Sequence, residues 1–298
     1  MAMGENSVIS RTLQALMSVV PQRFRTDVPV VPVVRLTGVI GFSTPLKPGL
    51  TLATCARSLD RAFGYRKASA VALLINSPGG SAVQSHLIFQ RIRALAEEKK
   101  VPVIAFTEDV AASGGYMIAC AADEIVVDAS SIVGSIGVVG ATFGFNRLIE
   151  KIGVERRVYT AGERKVMLDP FVPEKPEDVE RIKAIQRDIH EMFIALVKGR
   201  RGPKLAGPES DVFSGEFWTG HKALELGLAD RLGDLRSVLR ERFGEKVRTP
   251  LIAAERGLFG RRIPGIGERS DAAWERPGLA ENVVSALEAR ALWARYGL

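Results

Sequence analysis

Cysteine and histidine are scarce: two and three residues respectively in a chain of 298. Cys55 and Cys120 share no paired spacing, which excludes a disulfide framework and a zinc-finger pattern. Cys120 lies in the apolar run YMIACAA and reads as a small core hydrophobe. A reducing, cytoplasmic compartment is therefore expected, with no metal and no cofactor. Aromatic residues make up only 7 % of the chain, and no Lys/Arg block is long or interleaved with them. The net charge of +7 is thus read as a solvated basic surface, and no nucleic-acid partner is expected. No segment approaches the ~18 consecutive apolar residues of a membrane span. The stretch SVISRTLQALMSVVPQRFR is broken by Arg11 and Gln14 and lacks the core of a signal peptide. Residues 1–27 read instead as a basic amphipathic segment. It suits packing on its own domain or a partner subunit, or peripheral contact with the inner face of a membrane.

The remainder is an ordinary globular mixture, 46 % hydrophobic and 25 % charged. AVALLIN (70–76) and VPVIAFT (101–107) are continuous apolar runs, as in strands covered on both faces of a sheet. Between them, residues 81–100 carry Val83, Leu87, Ile88, Ile92, Leu95 and Ala96 at helical spacing behind Ser81, a good N-cap. Further strands are expected near 31–36, 124–128 and 155–160. Further helices are expected over 57–69, 115–122, 146–153, 176–200 and 234–244, with a turn, a helix and a short strand in 214–233. This alternation predicts an α/β fold with right-handed crossovers. Residues 28–248 read as one domain. Residues 249–298 read as a Pro/Gly-rich arm ending in a short helix.

Three stretches can carry chemistry. EDVAASGGYMIACAADEI sets Ser113 before Gly114 and Gly115 at the start of an apolar helix. A serine there has free backbone amides beside it, and the glycines permit close approach of another backbone. The plainer reading is a turn in which Ser113 caps the helix. INSPGGS ends a strand with Gly79 and Gly80, whose amides are candidates for holding an oxyanion; otherwise it is a well-capped strand-to-helix turn. A serine hydroxyl also needs a base. His86 and His190 fall in helices and His221 at a helix start, and each reads as a packed or surface residue. TAGERKVMLDPF offers Lys165, which can act as a base once desolvation or a nearby cation lowers its pKa.

Taken together, INSPGG, EDVAASGGYMIACAADEIVVDASSIVGSIGVVG and TAGERKVMLDPF resemble the S49 peptidases, the signal peptide peptidase A family, over roughly residues 30–245. The resemblance implies a ClpP/crotonase-like α/β fold of stacked ββα units and a Ser–Lys dyad. Ser113 falls on the nucleophile, Lys165 on the general base, and Ser135 on a serine that orients the lysine. Gly80 and Gly114 fall on the oxyanion amides, with Gly79 beside them. The resemblance further implies peptide substrates, signal-peptide remnants or other membrane-derived peptides. It implies a homo-oligomer whose dyad is shared between adjacent subunits. The chain departs from typical members in lacking a membrane anchor. A Clp-type Ser–His–Asp triad is disfavoured, because no histidine occurs between His86 and His190. A crotonase-type thioester enzyme would not need the paired serine and lysine motifs. The remaining alternative is a non-catalytic peptide-binding scaffold of the same fold.

Overall fold

The computed structural model describes residues 28–41, 49–162, 164–252, 287 and 290–298. The amphipathic reading of residues 1–27 and most of the C-terminal arm lie outside them. Strands β1 (Val33–Thr37), β2 (Val71–Ser77), β3 (Val103–Ala112), β4 (Glu124–Val127) and β7 (Arg231–Leu232) lie side by side in that order, all parallel. The continuous apolar runs have the expected cause. Along β2, Val71, Leu73 and Ile75 enter one core layer while Ala72 and Leu74 enter the other. Along β3, Val103 and Ala105 alternate in the same way with Ile104 and Phe106.

Helices α1 (Leu52–Phe63), α2 (Ala82–Lys99) and α3 (Gly114–Ala119) cover the first face. Ser81 caps α2 through the Gln84 amide, as its sequence suggests. The expectation for 57–69 is displaced: α1 begins at Leu52, because Thr51 and Thr54 form a capping box ahead of the buried face of Cys55, Leu59, Ala62 and Phe63. Helix α8 (Leu235–Phe243) starts at Asp234, which accepts from the Arg236 and Ser237 amides, and seats Val238 and Leu239 on the second face. Residues 248–252 run beside β1, with the Val33 amide donating to Pro250 and that of Ile252 to Val33.

Strand β3 changes partners midway. Residues 104–107 pair with β4, whereas 110–112 pair with β5 (Ile132–Gly134), after a register shift opposite Ile75 and Ser77. β5 pairs in turn with antiparallel β6 (Phe217–Thr219), a strand the sequence did not announce. This fork aims the end of β3, and Ser113 after it, out of the main sheet.

A segment from Val139 to the start of helix α5 (Pro176–Arg201) stands apart. It contains helix α4 (Asn146–Lys151) and is almost wholly exposed. The strand expected at 155–160 is absent: residues 154–160 have no regular structure and no neighbouring strand. A strand's backbone groups need a partner strand, and among the described residues this stretch has none; its Val154 amide bonds only back to the Ile149 carbonyl.

A buried ion pair ties α5 to the sheet. Arg201, 2 % exposed, donates to Asp230 at 2.6 Å and twice to the Gly227 carbonyl. Lys204 and the Ile125 amide also reach Asp230. Burial works against the Asp230 charge, but the bonds from Arg201, Lys204 and Ile125 outweigh it and hold its pKa below the ordinary carboxylate value. A depressed folded pKa stabilises above the unfolded pKa of about 4, and that stability is lost as pH falls through the lowered value. Asp230→Asn, which leaves Arg201 buried without its counter-charge, is expected to cost about 3 kcal/mol at pH 7. The gap from the parent should close in acid as Asp230 itself protonates; urea unfolding at pH 7 and pH 3 checks both points. Burial pushes the thiols of Cys55 and Cys120 up to about 12, which makes them inert core groups, as the apolar run around Cys120 suggests for that residue.

Candidate active site

Ser113 follows directly on β3 and occupies the N-cap position of α3, but its hydroxyl makes no capping bond. The helix-cap reading of this serine therefore fails. Its backbone sits at φ 52°, ψ −121°, a left-handed conformation costly for a residue with a side chain. It is held there from both sides. The Ser113 amide donates to the Gly134 carbonyl at 2.8 Å, and the Met117 amide donates to the Ser113 carbonyl at 3.0 Å. A fixed hydroxyl at a sharp strand-to-helix turn is the arrangement that presents a nucleophile.

The neighbouring glycines are required by contact. A Cβ on Gly79 would stand 2.8 Å from the Ser113 Cβ, and one on Gly80 only 2.2 Å from the Ile40 carbonyl oxygen. A Cβ on Gly114 would meet the Ser85 Oγ at 2.2 Å, and one on Gly115 the Ser77 carbonyl oxygen at 2.5 Å. The loop after β2 and the start of α3 are thus pressed together. The Gly79 amide donates to Ser77 Oγ, and the Gly79 carbonyl accepts from Ile40. The Gly80 and Gly114 amides have no hydrogen-bond partner among the described residues. Gly80, Ser113 and Gly114 line one cleft of about 220 Å³, together with Met117, Val138, Val139, Ile189 and Phe193. Two free amides and a free hydroxyl at an apolar cleft can attack a carbonyl and hold the resulting oxyanion.

Ser135 lies beside this turn. β3 and β5 are parallel with Ala112 opposite Gly134, so Ser113 and Ser135 are the next residues on adjacent strands. Ser135 is 5 % exposed, also at positive φ (55°), and accepts a hydrogen bond from the Tyr296 hydroxyl at 3.2 Å. Lys165 is not brought to the cleft of its own chain. It is exposed, lies in the projecting segment, and is not among the cleft's lining residues. A larger hollow of about 840 Å³ is bounded by that segment between Thr142 and Asp178 and shares no residue with the serine cleft. The histidines have other partners: His190 bonds the Ile136 carbonyl, His86 stacks on Phe89, and His221 pairs with Glu225. The sequence reading missed the C-terminal residues at the site, Leu292, Arg295 and Tyr296, which no motif marks.

Known proteins share this sequence. The chain is 56 % identical over 287 residues to the Na(+)/H(+) antiporter NhaA of Brucella abortus, covering 95 % of this chain and 39 % of that protein. It is 38 % identical over 174 residues to the chloroplastic serine protease SPPA of Arabidopsis thaliana, covering 57 % of this chain and 25 % of that protein. It thus spans about two fifths of the first relative and a quarter of the second. Among solved structures, a membrane-bound stomatin-specific protease in a serine-to-alanine mutant form matches with a TM-score of 0.43 and 18 % identity, over 75 % of this chain and 93 % of that one. The sequence pattern of peptidase family S49 matches residues 95–246, slightly more than half of the chain, from the second half of α2 through the Ser113 turn to the end of α8; the chain belongs to peptidase family S49.

Proposed function

We propose that the chain is a serine endopeptidase in which Ser113 is the nucleophile and Lys165 of a neighbouring copy is the general base. The observation that carries this reading is the convergence of an uncapped, strained Ser113 with the free Gly80 and Gly114 amides at one apolar cleft. In the reaction, a neutral lysine takes the Ser113 proton and the Oγ attacks the peptide carbonyl. The carbonyl oxygen becomes an oxyanion held by the Gly80 and Gly114 amides. The tetrahedral intermediate expels the amine, which takes the proton from the lysine. Water, activated by the same lysine, then releases the acyl group. Ser135, next to Ser113, is suited to receive and orient the ammonium. Gly79 contributes by allowing the loop to lie against Ser113.

The shared dyad is supported by the character of the projecting segment. Val139, Phe143, Leu148, Ile152, Val158 and Tyr159 are all exposed there, Tyr159 to 89 %. Apolar surface of that kind gains about 25 cal/mol per Å² when covered, and a clustered exposure marks an interaction face. A second copy that covers the segment brings Lys165 with it. The apolar cleft wall favours substrates with apolar side chains beside the cut, such as signal-peptide remnants or other membrane-derived peptides. The antiporter name of the Brucella relative belongs to a protein more than twice this length. Among the described residues no helix is long and apolar enough to cross a membrane, so nothing there supports a transport reading.

A fluorophosphonate probe tests the nucleophile. The parent chain is expected to label at one serine, and Ser113→Ala is expected to abolish the adduct while keeping the same circular dichroism. Undiminished labelling of Ser113→Ala would place the reactive serine elsewhere, and inertness of the parent chain toward the probe would favour the non-catalytic scaffold.

A further inference from the structure

The residues from Arg290 to Leu298 are built onto the serine site. Residues 290–294 are helical and 295–297 form a turn, closed by the Tyr296 amide on the Trp293 carbonyl. Trp293 packs with Val110, Ala112 and Ile132, on the two strands that carry Ser113 and Ser135. Tyr296 is 8 % exposed, meets the Phe217 ring edge-on at 5.0 Å, and donates to Ser135. Leu292 and Arg295 help line the Ser113 cleft itself.

We infer that this segment is a stopper of the serine cleft, and that Tyr296 competes with the general-base lysine for Ser135. The inference rests on the shared-dyad reading above. Among the described residues the phenol is the only side chain bonded to the Ser135 hydroxyl. A lysine arriving from a neighbouring copy must take that hydroxyl and the buried space beside it, which the Tyr296 ring now fills. The segment is held as an occupant and not as a substrate. A serine nucleophile needs a scissile carbonyl presented in extended backbone at the oxyanion amides, whereas a helical turn spends its own amides and carbonyls internally. An occupant that cannot be cut lowers the fraction of competent sites, and apparent reactivity falls by that fraction. Assembly then activates by exchange: the neighbour's lysine enters as Tyr296 leaves.

The test compares fluorophosphonate labelling rates of the full-length parent, Tyr296→Phe and Tyr296→Ala. Tyr296→Phe keeps the ring and loses only the bond to Ser135; Tyr296→Ala removes the stopper. Tyr296→Ala is expected to label about tenfold faster than the parent and Tyr296→Phe by a smaller factor. A synthetic RALWARYGL peptide, residues 290–298, should slow Tyr296→Ala again. Labelling of Tyr296→Ala at or below the parental rate overturns the stopper. Lys165→Ala in the Tyr296→Ala background separates the two readings. If that double variant labels as fast as Tyr296→Ala, the lysine reading falls and the competition for Ser135 with it, while the blocking of the cleft stands. If labelling needs Lys165 but ignores Tyr296, the stopper falls and the dyad stands.

Discussion

Lys165→Ala should abolish peptidase turnover, by roughly 10³–10⁴-fold or more, while leaving the fold as it was. The two halves of this expectation have separate causes. Lys165 is exposed and projects from a segment without sheet contacts, so its stem contributes little to stability, within about 0.5 kcal/mol. The base role proposed for it has no substitute among the histidines. The histidines are otherwise engaged: His190 bonds the carbonyl of Ile136, the residue after Ser135, His86 stacks on Phe89 and His221 pairs with Glu225. Because the serine and the lysine are proposed to meet only between copies, mixing Lys165→Ala with Ser113→Ala chains should return part of the activity. A mixed assembly contains some junctions where an intact serine faces an intact lysine. Peptide turnover of each variant and of the mixture is the measurement. Full turnover by Lys165→Ala alone would remove lysine from the mechanism, and absence of any recovery on mixing would return the lysine to its own chain.

Gly80→Ala is the second large effect, and it separates packing from charge. The added methyl would stand 2.2 Å from the Ile40 carbonyl oxygen and 2.9 Å from the Ile40 amide nitrogen, on a backbone at φ +138°. Both are main-chain atoms of a neighbouring bridge, so no side chain can rotate away. The loop must move, and the Gly80 amide moves with it. Loss of one oxyanion donor costs about 10²–10³-fold in kcat. The substrate's apolar contacts along Met117 and Phe193 are untouched, so KM should change far less than kcat. Gly114→Ala provides the contrast. Its methyl meets the Ser85 hydroxyl, a side-chain end, at 2.2 Å. Ser85→Gly in the same chain should therefore restore much of the activity of Gly114→Ala, whereas Gly80→Ala has no equivalent partner to trim. Steady-state kinetics on Gly80→Ala and Gly114→Ala, each alone and with Ser85→Gly, decide it. Equal rescue of both glycine substitutions by Ser85→Gly would show that the Ile40 contact is not what holds Gly80.

The convergence of Ser113, Gly80 and Gly114 was legible because both motifs lie at the carboxyl ends of parallel strands, where such sheets place their sites. The buried strands were legible from apolar runs too long and unbroken for one-sided burial. Other features depend on information that no local window holds. The β-rich residues 155–160 have the composition of a strand and no partner to pair with, so propensity alone misleads. Strand β6 is three residues long and exists because Gly134 and Ile132 stand opposite it. Whether Ser113 caps its helix depends on a left-handed backbone angle set by the Gly134 carbonyl, not on the tripeptide SGG. Tyr296 is 161 residues from Ser135, and its neighbours Arg295 and Gly297 form no pattern that points to a site.

The change of partners along β3 also bears on the order in which the chain organises itself. The pairs joining β1, β2, β3 and β4, such as Val71 with Val103 and Ile104 with Glu124, are closed by single crossover helices or short turns. The pairs of Val133 with Trp218 and of Val126 with Arg231 wait for a chain return through the projecting segment and the whole of α5. Closing such long loops costs more entropy before any contact offsets it, so these pairings form late and open first. Strands β1 to β5 can thus be in place while the outer sides of β4 and β5 still await β7 and β6. The anchor of the Ser113 amide on the Gly134 carbonyl is as local as the pairs between β3 and β4 and can form with them, but β5 gains its outer partner β6 only at the end of folding. The turn that carries Ser113 is thus shaped early and braced last.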